Sequence, residues 1–112
     1  MTVVSFLMRE DAIAGFEING HSGAGEKGHD IVCAAISSAA YMAANTITEV
    51  IGAKAQISTA DGAMKLLLAS GAEEECRVTL EGFMLHIKQL RKQRPKNIKI
   101  ITVNTGKEHY YA

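Results

Sequence analysis

The pattern of apolar residues predicts an α+β fold, a β-β-α-β-β-α-β sheet with a buried central helix and a second amphipathic helix. Three observations carry this. Residues 2–8 with 13–20, and 53–59 with 63–69, are two pairs of short strand-like runs, each pair broken by turn residues. Residues 31–51 and 73–93 instead show helical spacing. The chain of 112 residues is large enough for one modest core and too small for two, so residues 1–112 are read as a single domain.

Each element follows from local sequence. TVVSFLM over 2–8 is rich in β-branched residues, and Arg9, Glu10 and Asp11 supply a polar turn. IAGFEING over 13–20 alternates, with Ala14, Phe16 and Ile18 on one face and Gly15, Glu17 and Asn19 on the other. His21 is next on the polar face. Gly20, Gly23, Gly25 and Gly28 then oppose regular structure up to His29, and a mobile loop is expected there. Residues 31–51 are alanine-rich and apolar almost all round, as in a helix buried on every side. Asp30 suits its N-cap and Gly52 its stop. AKAQIST (53–59) and AMKLLLA (63–69) flank an Asp61-Gly62 turn, a strong hairpin signal. From 73 to 93, Cys76, Leu80, Phe83, Ile87 and Leu90 form an apolar stripe. Glu73, Glu74 and Glu75 open that helix, Arg91, Lys92 and Arg94 close it, and Pro95 ends it. NIKIITV over 97–103 is the last strand.

Composition narrows the function. The chain is 47% hydrophobic and 21% charged, and its 12 basic and 12 acidic residues cancel. Neutrality and an aromatic content of 5% give no basis for wholesale nucleic-acid or membrane binding. The basic residues Lys88, Arg91, Lys92, Arg94, Lys96 and Lys99 are read as a solvated helix end. The N-terminus lacks the basic start and apolar run of a signal peptide, and no run is expected to reach the roughly 20 apolar residues of a membrane span. Cys33 and Cys76 are expected to be reduced thiols of an intracellular protein.

The chemistry concentrates in GHSGAGEKGHDIVCAAIS, residues 20–37. With Asp30 as cap, Cys33 would be the third helical residue, where a free amide and the positive end of the helix dipole favour thiolate. His21, at a strand end, can serve as its general base. His29 is the weaker candidate, because a glycine-rich loop holds it poorly. Zinc is an alternative, with His21, His29, Asp30 and Cys33 as ligands, but the spacing H-x7-H-x3-C fits no compact site. No P-loop ending is present. Gly23-x-Gly25-x-x-Gly28 matches a dinucleotide fingerprint but is discounted, because no crossover to a parallel strand is expected after it. Cys76, preceded by three glutamates, is read as core, and His86 and His109 as bystanders.

The stretch G-H-x-G-x-G-x-x-G-x-D-I-V-C-A-A-x-S resembles the signature of the ribosomal-processing cysteine proteases, the Prp family. The order of elements is compatible over essentially the whole chain. The resemblance implies a dimeric, cytoplasmic cysteine endopeptidase that needs no cofactor. It implies as substrate a large-subunit ribosomal protein, ribosomal protein twenty-seven, from which a short N-terminal extension is removed. It implies a dyad of His21 and Cys33, with Asp30 and Ser37 as supporting residues and Gly20, Ser22, Gly23, Gly25 and Gly28 as the loop around the peptide. Ser22 stands where many members carry alanine, and His29 stands at a variable position. Neither membrane nor direct nucleic-acid binding is required. A rival of another class is a non-catalytic, ribosome-associated binding protein with a structural Cys33.

Overall fold

The computed structural model describes the backbone of residues 1–20 and 27–105, and the side chains of residues 1–20 and 31–105. The elements are β1 (Thr2–Arg9), β2 (Ala12–Asn19), α1 (Lys27–Asn45), a π-helical segment (Thr46–Ile51), β3 (Ala55–Ala60), β4 (Ala63–Leu68), α2 (Arg77–Gln93) and β5 (Ile98–Asn104). The five strands form one sheet in the order β3-β4-β2-β1-β5. The α+β class and the order of elements are those the sequence predicts.

The two hairpins are antiparallel pairs, β1 with β2 and β3 with β4. The sheet is nevertheless mixed, since β1 and β5 pair in parallel. β2 and β3 also run in the same direction, because each is antiparallel to β4 between them. The expectation of no crossover after the first helix is therefore corrected: α1 carries the chain from β2 across to a like-directed strand.

Alternation in the strands decides which face is covered. Val4 and Phe6, Phe16 and Ile18, and Met64, Leu66 and Leu68 join Ile98 in one core with both helices. α2 contributes the stripe Leu80, Phe83 and Ile87, with Cys76 buried just ahead of it. The Phe83 ring lies 5.8 Å from that of Phe6 and 4.5 Å from that of Phe16, both tilted, as aromatic quadrupoles prefer. Gly15 has a packing reason. A Cβ built there would lie 2.0 Å from the Leu66 carbonyl oxygen, so only glycine lets β2 and β4 approach this closely.

Three features of α1 and the π segment differ from expectation. First, α1 begins at Lys27, so Gly28, His29 and Asp30 lie in its first turn. Second, the segment does not stay α-helical to residue 51. Thr46 and Thr48 donate their hydroxyls back to the carbonyls of Met42 (2.7 Å) and Ala44 (3.0 Å), and the chain widens into the π segment. Gly52 stops it as expected, in the left-handed region at φ 77°. Third, α1 and the π segment are not buried all round. Val32, Ile36, Ala40, Ala43, Ala44 and Ile47 face the core, whereas Ile31, Tyr41, Met42 and Val50 are exposed. Residues Ile31–Ile51 are also long and apolar enough, at mean hydropathy 1.4, to pass a membrane-span test by length and composition alone. The sequence expectation that no run would do so is corrected. The buried stripe shows what the segment does here: it covers one face of the sheet.

α2 begins at Arg77 rather than near residue 73, and this frees Glu73 for another task. Its carboxylate pairs with Arg9 at the end of β1, and Arg9 also donates to the Leu68 carbonyl at 3.1 Å. The Gly71 amide donates to Glu73 at 2.9 Å. Burial alone would raise the Glu73 carboxyl, but the Arg9 hydrogen bond, the amides of Glu73 and Gly71 and the Arg9 charge outweigh it and hold it below its ordinary value of 4.5. A carboxylate with a depressed folded pKa stabilises the fold fully above the unfolded value and ceases to do so as pH falls through the folded one. Glu73→Gln is expected to cost about 1–3 kcal/mol at pH 7, because it leaves a largely buried Arg9 charge unpaired. Urea unfolding checks this: the gap between variant and parent should close on acidification, and a gap that persists at acid pH would contradict it.

Candidate active site

Cys33 lies on α1, as the sequence reading requires, but not at the helix start. It is the seventh residue from Lys27. The dipole acts within the first turn, and among the described residues the amides left free by helical bonding are those of residues 27–29. Asp30 is therefore the fourth helical residue and not the N-cap, and neither the helix dipole nor a first-turn amide accounts for activation of Cys33.

What the fold does supply is a cleft. Cys33 and Ser37 are one helical turn apart on α1, and Tyr41 follows one turn further on. Together with Ile36 they line a cavity of about 380 Å³. The tip of the β3–β4 hairpin, Ala60 to Met64, also lines it, as do Thr2 of β1 and Ile18 of β2. Ser37, Tyr41 and Asp61 are exposed at its rim. Cys33 is half-buried and lines this cleft. Its Sγ lies 3.3 Å from the Oγ1 of Thr2, either atom being able to donate.

The second cysteine behaves differently. Cys76 is fully buried. Burial pushes its thiol up, and the carboxylates of Glu75 and Glu73 push it further. In the native protein at pH 7, iodoacetamide is expected to alkylate Cys33 and leave Cys76 untouched, as peptide mapping by mass spectrometry would show. Equal labelling of both would remove the distinction on which the site rests.

The remaining candidates are placed unevenly. Gly20 follows β2 at φ 79°, and a Cβ there would stand 3.1 Å from the Met1 carbonyl oxygen, so the exit from the strand calls for glycine. His21, Ser22, Gly23 and Gly25 lie outside the described residues, and with them most of the expected mobile loop. Gly28 and His29 are the second and third residues of α1. The argument that set His29 aside as a loosely held loop residue thus fails, since its backbone is four residues before Cys33 in the same helix. Among the described residues no group of three or more His, Cys, Asp or Glu is placed to hold a metal. The side chains of His21, His29 and Asp30, weighed above as zinc ligands, are not among those described.

Residues that the sequence reading did not single out complete the cleft: Thr2, Ile18, Tyr41 and the hairpin tip around Asp61. Thr2 is 31 positions from Cys33, and no local pattern pairs them. The helical repeat of four alone could have drawn attention to Tyr41, in line with Cys33 and Ser37.

A family model described as cysteine protease Prp matches residues 1–99. Among solved structures, the chain is similar to an essential ribosomal processing protease Prp from S. aureus in complex with a substrate peptide. The identity is 22% and the TM-score 0.83, over 92% of this chain and 100% of that one. The same S. aureus protease with a covalently linked product peptide gives 23% identity and a TM-score of 0.80, over 92% and 100%. SMU.848 from Streptococcus mutans gives 26% identity and a TM-score of 0.75, over 93% and 95%. At these identities the S. aureus structures establish a shared fold. No curated protein sequence matches the chain.

Proposed function

The chain belongs to the Prp family of cysteine proteases, and we propose that it removes the N-terminal extension of ribosomal protein twenty-seven through a dyad of Cys33 and His21. The observation that carries this reading is Cys33, half-buried in the lining of a cleft of about 380 Å³. A fully buried Cys76 offers no rival nucleophile. A binding protein with a structural Cys33 fits neither the family nor that exposure.

The chemistry is acyl transfer. Cys33 thiolate attacks the scissile carbonyl carbon, and the carbonyl oxygen takes up the negative charge. As the tetrahedral intermediate collapses, His21 gives its proton to the leaving amine, and a thioester remains on Cys33. Water, deprotonated by His21, then attacks the thioester, releasing the carboxylic acid and regenerating the thiolate. Backbone amides at the start of α1, those of residues 27–29, are suitable donors to the oxyanion. Asp30 and Ser37 are the dyad's supporting residues, with Gly20, Ser22, Gly23, Gly25 and Gly28 in the segment assigned to the peptide. No metal or cofactor enters these steps.

The substrate class draws support from the S. aureus relative, whose structures hold a substrate peptide and a covalently linked product peptide. A ribosomal substrate implies a cytoplasmic enzyme. A homodimer draws support from the exposed apolar residues Ile31, Met42 and Val50, which a second copy would cover. The test is incubation with the extended ribosomal protein followed by mass spectrometry. One shortened product with a new N-terminus is expected. An intact precursor, with the enzyme shown competent by alkylation of Cys33, would overturn the substrate assignment.

A further inference from the structure

We propose that Thr2 is a positioning residue for the nucleophile, its hydroxyl donating a hydrogen bond to the thiolate of Cys33. This rests on the reading of Cys33 as the nucleophile and adds a residue to that site.

Thr2 is the first residue of β1, on the face that the helices cover. Its backbone amide donates to the Asn97 carbonyl at 2.8 Å, and the residue pairs with Ile98 of β5. It is 2% exposed, so its hydroxyl is almost wholly withdrawn from water. A buried hydroxyl needs a partner, and among the described residues that partner is Cys33 Sγ, at 3.3 Å. β-branching restricts χ1, so the hydroxyl is held in place by the strand rather than by a flexible side chain.

The chemistry gives the contact a direction. A threonine hydroxyl keeps its proton at any pH at which the protein is folded, and a thiolate can only accept. The bond strengthens when sulfur becomes charged, because charge-assisted hydrogen bonds are about twice as strong as neutral ones. Thr2 therefore holds the sulfur where it lines the cleft, and its hold tightens as charge develops there. This supplies a stabilising contact that the helix dipole, one turn away, does not. The other titratable groups described around the cleft, Asp61 and Tyr41, make no hydrogen bond to Sγ.

Thr2→Val keeps the branched shape and removes the hydroxyl, whereas Thr2→Ser keeps the hydroxyl. Iodoacetamide alkylation of Cys33 reads the contact without any substrate. At about pH 6.5, Thr2→Val is expected to react roughly ten-fold more slowly than the parent, and Thr2→Ser within about three-fold of it. At about pH 10, where thiols ionise regardless, all three should react alike. In peptide cleavage, Thr2→Val should lower kcat with KM unchanged. Thr2→Ala, which also lacks the hydroxyl, provides the same comparison if the valine variant folds poorly. Equal alkylation of parent and valine variant at the lower pH would overturn the proposal, and so would equal slowing at both pH values, which marks mere obstruction. If the alkylation differences appear but no peptide is cleaved, the contact stands and the substrate reading falls.

Discussion

Replacing Cys33 by serine is expected to abolish peptide cleavage, by roughly 10⁴-fold or more, while leaving the fold intact. The hydroxyl is close in size to the thiol and can keep the hydrogen bond to Thr2. It is a far weaker acid, so a base suited to a thiol leaves it protonated and poorly nucleophilic. Cys76→Ser is the necessary contrast. It places a hydroxyl in a fully buried apolar site and should lower stability by about 1–3 kcal/mol, yet retain most activity. Kinetics on a fluorogenic peptide, with circular dichroism as a check on folding, separate the two. An inactive Cys76→Ser beside an active Cys33→Ser would reverse the assignment.

Removal of the general base has the next largest effect. His21→Ala is expected to lose about 10²–10⁴-fold in kcat/KM, the usual range for a positioned proton-transfer group. The strand that precedes it is well anchored, because β2 is paired with both β1 and β4 up to Asn19. His29→Ala should lose far less. The comparison has force because α1 extends back to Lys27 and carries His29 four residues before Cys33. A greater loss at His29 than at His21 would move the base onto the helix. Comparable losses, with zinc in the purified protein, would favour a metal site.

The parts of this fold that were legible in sequence are those set by periodicity. Ala14, Phe16 and Ile18 alternate because one face of β2 is covered. Leu80, Phe83 and Ile87 repeat at helical spacing because one face of α2 is. The parts that were not legible depend on tertiary context. Gly28 costs a helix about 1 kcal/mol relative to alanine, and a chain dense in glycine reads as a loop, yet α1 includes it. The π segment coincides with two threonine hydroxyls that donate back to backbone carbonyls, a feature that apolar spacing does not encode. Parallel pairing of β5 with β1 depends on where α2 sets the chain down. In the site, Cys33 was marked by its neighbours in sequence, whereas Thr2 meets it only through the packing of β1 against α1.

The central claim is that Cys33 forms the covalent bond to the substrate. Its most direct test is acid quenching of the enzyme with a peptide ester substrate, followed by intact-mass measurement and peptide mapping. The account predicts a single acyl group carried on Cys33, which disappears as hydrolysis proceeds and never forms in Cys33→Ser. An acyl group on any other residue, or turnover in Cys33→Ser at the parent rate, would contradict it.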